Sequence, residues 1–225
     1  MQVIFVGGAS GVGASCLAIQ IADQWIVVDA GVRVDRKQDP LPDLALLEGK
    51  DVRAVFVTHA HADHIGALPL LHQAFPAVPI FASRGTALLM GVMLADALKV
   101  MTKRAVEEME LPLYPENLVT GMLAQVRPLP VGEPFTVPQL PGVTIHASRA
   151  GHIAGAVSLG FAAPDGSLVV SGDISITPQR TVVGAVPPPL KGGPKHVQEG
   201  PMSSKISGTL EPDRPPDSQA VSTGG

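Results

Sequence analysis

The sequence contains one histidine-rich stretch, Thr58-His59-Ala60-His61-Ala62-Asp63-His64-Ile65-Gly66. Three of the seven histidines of the protein fall within six residues here, together with one carboxylate. The β-branched and aromatic run 52–57 before it predicts a buried strand, and apolar residues recur at helical spacing after it. Neutral imidazoles and a carboxylate on a strand-to-helix turn suit a borderline metal such as zinc. A polar turn that is rich in histidine without binding a metal is the disfavoured alternative.

Composition predicts one folded α/β domain, or one domain plus a tail, in a chain of 225 residues with 45% hydrophobic content. The net charge is −4 and no run of Lys or Arg occurs, so the sequence lacks the electrostatic footprint of a dedicated nucleic-acid binder. A metal site can nevertheless supply local positive charge for a phosphate. The single cysteine, Cys16, excludes an intramolecular disulfide and fits a reducing cytosol. No signal peptide and no run of about 18 apolar residues is found, so we expect a cytoplasmic protein without membrane association.

Three further polar residues follow predicted strands. Asp29 precedes Ala30-Gly31, where a turn-capping aspartate is the commoner role. His152 lies in a turn bounded by two glycines, and by the sequence alone it is a ligand candidate at even odds. Asp173 follows a predicted hairpin, from which its carboxylate can reach the same centre. The glycine-rich segment 7–13 lacks the Lys-Ser/Thr of a phosphate-binding P-loop and is interpreted as a tight connection between strands.

These segments, in this order and spacing, resemble those of the metallo-β-lactamase superfamily, a set of binuclear metal hydrolases. Besides the histidine-rich stretch, the resemblance involves segments 11–16, 28–31, 150–156 and 171–175. They are similar in particular to the β-CASP branch of RNA-processing and DNA-repair nucleases, and within it to prokaryotic relatives of the pre-mRNA 3′-end endonuclease. The resemblance extends over about residues 1 to 190 and implies an αββα sandwich.

The resemblance also implies a set of metal ligands. It assigns His59, His61 and His152 to one divalent ion, and Asp63, His64 and Asp173 to a second, with Asp173 bridging the two. The expected ions are zinc, with manganese as the alternative. Asp63 and His64 are the implied catalytic pair, with Asp63 orienting the nucleophile. The resemblance gives Asp29 a supporting position beneath the centre, hydrogen-bonded to the histidine-rich loop. His72 and His146 are assigned no role.

The C-terminal segment 184–225 departs from the family pattern. It contains eight prolines and seven glycines, a composition typical of disorder. We therefore expect a metallo-β-lactamase-like domain at 1–183 and a disordered or aberrant tail at 184–225. The family implies further strands, a cap domain and two more histidines, whereas His196 is the last histidine here. The expectation is a sandwich that is incomplete at its C-terminus, either as a short variant or through a change of reading frame, and lacks the leaving-group acid.

Three functional hypotheses remain from the sequence. The first is a metal-dependent hydrolase that cleaves RNA or single-stranded nucleic acid weakly. The second is a hydrolase of the same fold acting on a β-lactam, lactone or thioester. The third is a non-catalytic fragment that a metal only stabilises. An exposed sheet edge at the incomplete end predicts association, for example as a homodimer.

Overall fold

A computed structural model of the protein describes residues 1–9, 11–33, 35 and 39–190, and the backbone of 195–197. The first sheet contains six strands in the order of the sequence. They are β1 (Gln2–Gly7), β2 (Cys16–Ile21), β3 (Gln24–Val28), β4 (Val52–Val57), β5 (Ile80–Ala82) and β6 (Val126–Pro128). The first three strands form an antiparallel meander, and β3 to β6 pair in parallel.

The second sheet has the order β11-β10-β9-β8-β7. Its strands are β7 (Pro134–Phe135), β8 (Thr144–Arg149), β9 (Val157–Ala163), β10 (Gly166–Val170) and β11 (Lys195–Val197). The helices are α1 (Ala62–Ile65), α2 (Leu68–Ala74), α3 (Arg84–Glu107) and α4 (Glu116–Ala124), with a 3₁₀ helix at Leu44–Leu47. Within the described ranges no helix follows β6, so the second outer helical layer of an αββα sandwich is not among them.

The first sheet lies between the helices and the second sheet. Alternate residues of a strand face opposite sides of a sheet, so each central strand contacts both layers. In β4, Val55 and Val57 belong to the cluster formed with the helices, whereas Phe56 belongs to the cluster formed with the second sheet. The Phe56 ring stacks on Phe81 at 5.3 Å and meets Phe161 edge-on at 5.2 Å. These ring contacts join the two sheets next to the point where the histidine-rich loop begins.

The predicted α/β class is confirmed. The apolar stretches Cys16–Ile21 and Trp25–Val28 predict an N-terminal meander with a hairpin turn at Asp23-Gln24, and the structure has this meander with some boundaries displaced. The hairpin turn falls at Ala22–Asp23 rather than at Asp23-Gln24, because these two residues take the left-handed conformation and Gln24 already pairs in β3. The segment 41–47 before Gly49 is predicted to be a short helix, and the structure has only one 3₁₀ turn there, at Leu44–Leu47.

Helical spacing predicts a helix from Thr86 to Met101 and further helix over 103–124, broken at Pro112 and Pro115. Helix α3 begins earlier, at Arg84, because the Ser83 side chain caps its first turn, and it ends at Glu107, before α4 begins at Glu116.

Helix α3 is long and apolar enough, by length and composition, to cross a membrane, and few of its residues are buried. It contains no uninterrupted apolar run of that length, since Asp96 and Lys99 lie within it. A helix at the core of a soluble protein meets the same criteria, and Met90 and Leu94 of α3 are buried against the first sheet. Helix α3 is therefore only weak evidence for a membrane.

Two parts of the predicted tail 184–225 are described. The backbone of 184–186 bonds to the domain, with Ala185 N–H donating to Ser175 O and Val186 N–H donating to Arg149 O, both at 2.8 Å. Strand β11 pairs in parallel with β10. These parts differ from the expected absence of packed structure. Residues 198–225 lie outside the described residues, and the boundary at 183 stays a prediction.

Candidate metal centre

The histidine-rich loop begins where β4 ends and is held by the segment that follows β3. Ala30 N–H donates to His64 O at 2.8 Å, and Val32 N–H donates to Ala62 O at 3.0 Å. Ala67 N–H, at the other end of the loop, donates back to Ala30 O at 2.8 Å. Main-chain hydrogen bonds alone therefore hold this loop against the segment that follows β3.

Gly31 allows this close approach of the two segments. A Cβ atom at Gly31 would lie 1.6 Å from Asp63 O, which is a main-chain atom and cannot be displaced by a rotamer change. The Gly31 N–H donates to Ser15 O at 2.9 Å, and Ser15 N–H donates to Asp63 O at the same distance. Glycine at position 31 is thus a requirement of the loop that carries Asp63.

Three imidazole nitrogens converge on one point. His61 Nδ1 lies 3.2 Å from His59 Nε2 and 3.2 Å from His152 Nε2. Zinc–nitrogen bonds of about 2.0–2.1 Å in a tetrahedral site separate the ligand nitrogens by about 3.3 Å. The separation in the structure is close to that value, so the three nitrogens resemble one face of a tetrahedral ligand set.

Asp173 lies beside this face and extends toward a second group of side chains. Its Oδ2 is 3.4 Å from His152 Nε2 and 3.8 Å from His59 Nε2. Its Oδ1 is 3.6 Å from His64 Nε2. One ligand atom each from His59, His61, His152 and Asp173 lies within 4.8 Å of the others. The two carboxylate oxygens thus face different imidazoles, as a bridging ligand requires.

The second group of side chains is looser. His64 Nε2 lies 4.0 Å from Asp63 Oδ2. His59, His61, His152 and Asp173 form one group of possible ligands, and His64 adjoins it, with its Nε2 3.6 Å from Asp173 Oδ1. Among the described residues, neither His72 on α2 nor His146 on β8 belongs to that group.

Asp29 lies beneath the loop and is 1% exposed. Its Oδ1 accepts a hydrogen bond from Thr58 N–H at 2.8 Å, and its Oδ2 accepts one from Thr58 Oγ1 at 2.6 Å. His64 Nδ1 lies 2.8 Å from the same Oδ2. A carboxylate can only accept, so Nδ1 of His64 carries the hydrogen and the Nε2 of neutral His64 is free to bind a metal. Thr58 is not among the residues predicted from the sequence, although its position between the strand and His59 is a usable signal.

The pKa values of the imidazoles diverge. Burial, and then the neighbouring charges of His64, His61 and His152, strongly lower the pKa of His59. Burial also lowers the pKa of His152. For His64, burial is outweighed by the charges of Asp29, Asp63 and Asp173 and by the hydrogen bond to Asp29, which raise its pKa to about 9. At neutral pH, His59 is ready to bind a metal, whereas His64 must first lose a proton.

One side of the cluster is open. The side chains of His59 and His64 are 1% and 3% exposed, whereas those of His152 and Asp173 are 27% and 41% exposed. Asp63 has 27% of its side chain exposed. A substrate can therefore reach the cluster from the side of His152, Asp63 and Asp173.

Comparison with known proteins gives matches over most of the chain. The family model described as the metallo-beta-lactamase superfamily matches residues 9–217. The transcription termination factor FttA of Methanocaldococcus jannaschii is 30% identical over 83% of this chain and 29% of its own length. The ribonuclease TTHA0252 of Thermus thermophilus is 30% identical over 84% of this chain and 42% of its own.

A solved structure of a protein of unknown function from Enterococcus faecalis V583 is also similar, with a TM-score of 0.51. It is 18% identical, over 77% of this chain and 43% of its own, and this likeness concerns the fold alone. The chain spans less than half the length of FttA and of the ribonuclease.

Proposed function

The chain belongs to the metallo-β-lactamase superfamily, and on that premise we propose that it is a metal-dependent hydrolase that cleaves phosphodiester bonds in RNA or single-stranded nucleic acid. The observation that carries the proposal is that His61 Nδ1 lies 3.2 Å from a ring nitrogen of both His59 and His152. The Asp173 carboxylate lies beside them, with one oxygen toward His64. The sequence motifs resemble this superfamily and its RNA-processing branch, and the comparisons confirm that resemblance.

We propose that these donors bind two divalent ions, and that the ions are zinc, with manganese as the alternative. Imidazole nitrogens and carboxylates suit both metals, and the cluster contains no thiolate, since Cys16 belongs to the buried core. We propose His59, His61 and His152 for one ion, Asp63 and His64 for the other, and Asp173 between them. When bound, such a pair of ions supplies a hydroxide nucleophile at neutral pH and the charge that stabilises a pentacoordinate phosphorus.

The residues of the chain would then act around that chemistry. Asp63, which is partly exposed beside His64, would accept a hydrogen bond from the attacking water and orient it. Asp29 holds His64 in the tautomer that leaves Nε2 available. Because His152 and Asp173 lie on the open side, the scissile phosphate would approach there, with the buried His59 and His64 behind it.

RNA as the substrate class is supported by the ribonuclease relative and stays a proposal, because this chain covers only part of that protein. Slow turnover belongs to the same proposal. The cytoplasmic location, the absence of membrane association and the homodimer stay predictions.

A comparison of substrates tests the proposal. We would incubate the purified chain, with added zinc or manganese, with a labelled single-stranded RNA oligonucleotide, with nitrocefin and with a lactone. We expect cleavage of the RNA alone, lost in His152→Ala and retained in His146→Ala, since His146 is not grouped with the cluster. Faster turnover of nitrocefin or the lactone would favour a small-substrate hydrolase. Bound metal without turnover of any substrate would indicate a metal that only stabilises the fold.

A further inference from the structure

The loop that carries His152 is closed on itself and is also held from outside, since Ser175 N–H donates to Ala150 O at 2.8 Å and Gln179 Nε2 donates to His152 O at 3.4 Å. Ala150 N–H donates to Ala156 O, and Ala156 N–H donates to Ile153 O, both at 3.0 Å. The glycines on either side of His152, Gly151 and Gly155, take φ values of +72° and +82°. Contacts from neighbouring segments therefore anchor this loop and its imidazole.

The beginning of helix α3 provides such an anchor through one carbonyl group. Ser83 Oγ donates to Gly155 O at 2.6 Å, and Thr86 Oγ1 donates to the same oxygen at 2.9 Å. Both residues are buried, with Ser83 at 3% and Thr86 at 0% exposed. Two hydroxyl groups therefore occupy both lone pairs of one carbonyl.

The two hydroxyls are themselves held by the helix. Thr86 N–H donates to Ser83 Oγ at 3.1 Å, which is the N-terminal cap of α3. The two chain segments also touch directly, because a Cβ at Gly155 would lie 2.3 Å from Thr86 N and 2.8 Å from Gly85 Cα. Helix α3 thus fixes the position of Gly155 by hydrogen bonds and by contact, and Gly155 is three residues from His152.

We propose that Ser83 and Thr86 are positioning residues for the metal centre, which hold the His152 imidazole against His61 by binding Gly155 O. The inference rests on the proposed metal site and concerns how that site is kept in shape. Neither hydroxyl is hydrogen-bonded to the imidazole, so their effect on metal binding would pass through the loop. Loss of an indirect support of this kind typically weakens metal binding by about 10- to 100-fold, and we expect the lower end, about tenfold, for one hydroxyl.

The test uses Thr86→Val, which has nearly the same shape and lacks the hydroxyl, and Thr86→Ser, which restores it. Thr102→Val is the matched control, because Thr102 on the same helix donates its hydroxyl to a carbonyl, Leu98 O, remote from the loop. The probe is Co²⁺, whose visible absorption reports ligand number and geometry. We expect Thr86→Val to raise the Co²⁺ dissociation constant about tenfold and change the spectrum, with Thr86→Ser and Thr102→Val close to the wild type.

A metal-independent measurement separates this inference from the proposed function. Amide hydrogen exchange of residues 150–156 in the metal-free protein should accelerate in Thr86→Val and not in Thr102→Val. An unchanged dissociation constant, spectrum and exchange rate in Thr86→Val would overturn the inference while leaving the metal site intact. A wild type that binds no Co²⁺ would instead overturn the proposed function, and hydrogen exchange would still decide whether Thr86 holds the loop.

Discussion

The Nδ1 atom of His64 lies 2.8 Å from Oδ2 of Asp29, and both side chains are almost completely removed from solvent. The same carboxylate also accepts two hydrogen bonds from Thr58 at the end of β4. One buried anion therefore ties the strand end to a predicted metal ligand and fixes which imidazole nitrogen faces the open side.

The first prediction concerns the charge of Asp29. In Asp29→Asn, an amide NH₂ replaces one oxygen, so His64 would turn its hydrogen toward Nε2 and away from the new amide. We expect binding of the second metal ion to weaken about 10- to 100-fold, because a support of the ligand tautomer is lost. Competition with a chromophoric chelator measures this affinity. Asp51→Asn, at an exposed ion pair with Arg53, is the control, and equal affinities in both variants would contradict the assignment.

A second prediction concerns the stability of the metal-free protein as a function of pH. The pKa of His64 is raised to about 9, so its stabilising contribution is fully present below about 6.5 and is lost as the pH rises through 9. The pKa values of His59 and His152 are lowered, so their contribution is present above about 6.5 and is lost on acidification. The free energy of unfolding should therefore be greatest near pH 6.5.

Urea unfolding of the metal-free protein at several pH values measures this profile. On the alkaline side the decline should be on the order of 3 kcal/mol and should become smaller in Asp29→Asn, which removes the carboxylate that raises the pKa of His64 most and leaves Asp63 and Asp173 in place. Stability that keeps rising from pH 6.5 to 9 in the wild type would show that His64 is not held as a cation.

The third prediction concerns the contact at Gly31. Gly31→Ala places a Cβ into Asp63 O, so the histidine-rich loop must move. We expect a loss of about 1–3 kcal/mol in the free energy of unfolding, typical of overpacking, together with impaired metal binding. Gly91→Ala is the matched control, since a Cβ there meets nothing within 4 Å and alanine favours a helix by up to about 1 kcal/mol. Equal stability in the two variants would contradict the contact.

The sequence predicts the parts of this centre that depend on local spacing. His59, His61, Asp63 and His64 follow a buried strand, and the end of a strand places its side chains at one sheet edge. The resemblance to a known family adds His152, Asp173 and the support from Asp29, all of which lie in or beside the cluster.

Contacts between distant segments could not be predicted in this way. Gly155 O is bound by Ser83 and Thr86, which are 72 and 69 residues away, and no periodicity or turn signal relates them. The 3₁₀ helix and the start of α3 also differ from expectation, because capping and packing in the folded chain override helical spacing.

The metal content of the protein is the most direct test of whether these side chains bind two ions. We would measure zinc and manganese per chain by mass spectrometry in the wild type, in His152→Ala and in Asp173→Ala, with His146→Ala as the control. The account predicts close to two ions per chain in the wild type and the control, with fewer in the other two variants, because Asp173 faces both groups of ligands. A wild type with no bound ion, or the same content in all four proteins, would contradict it.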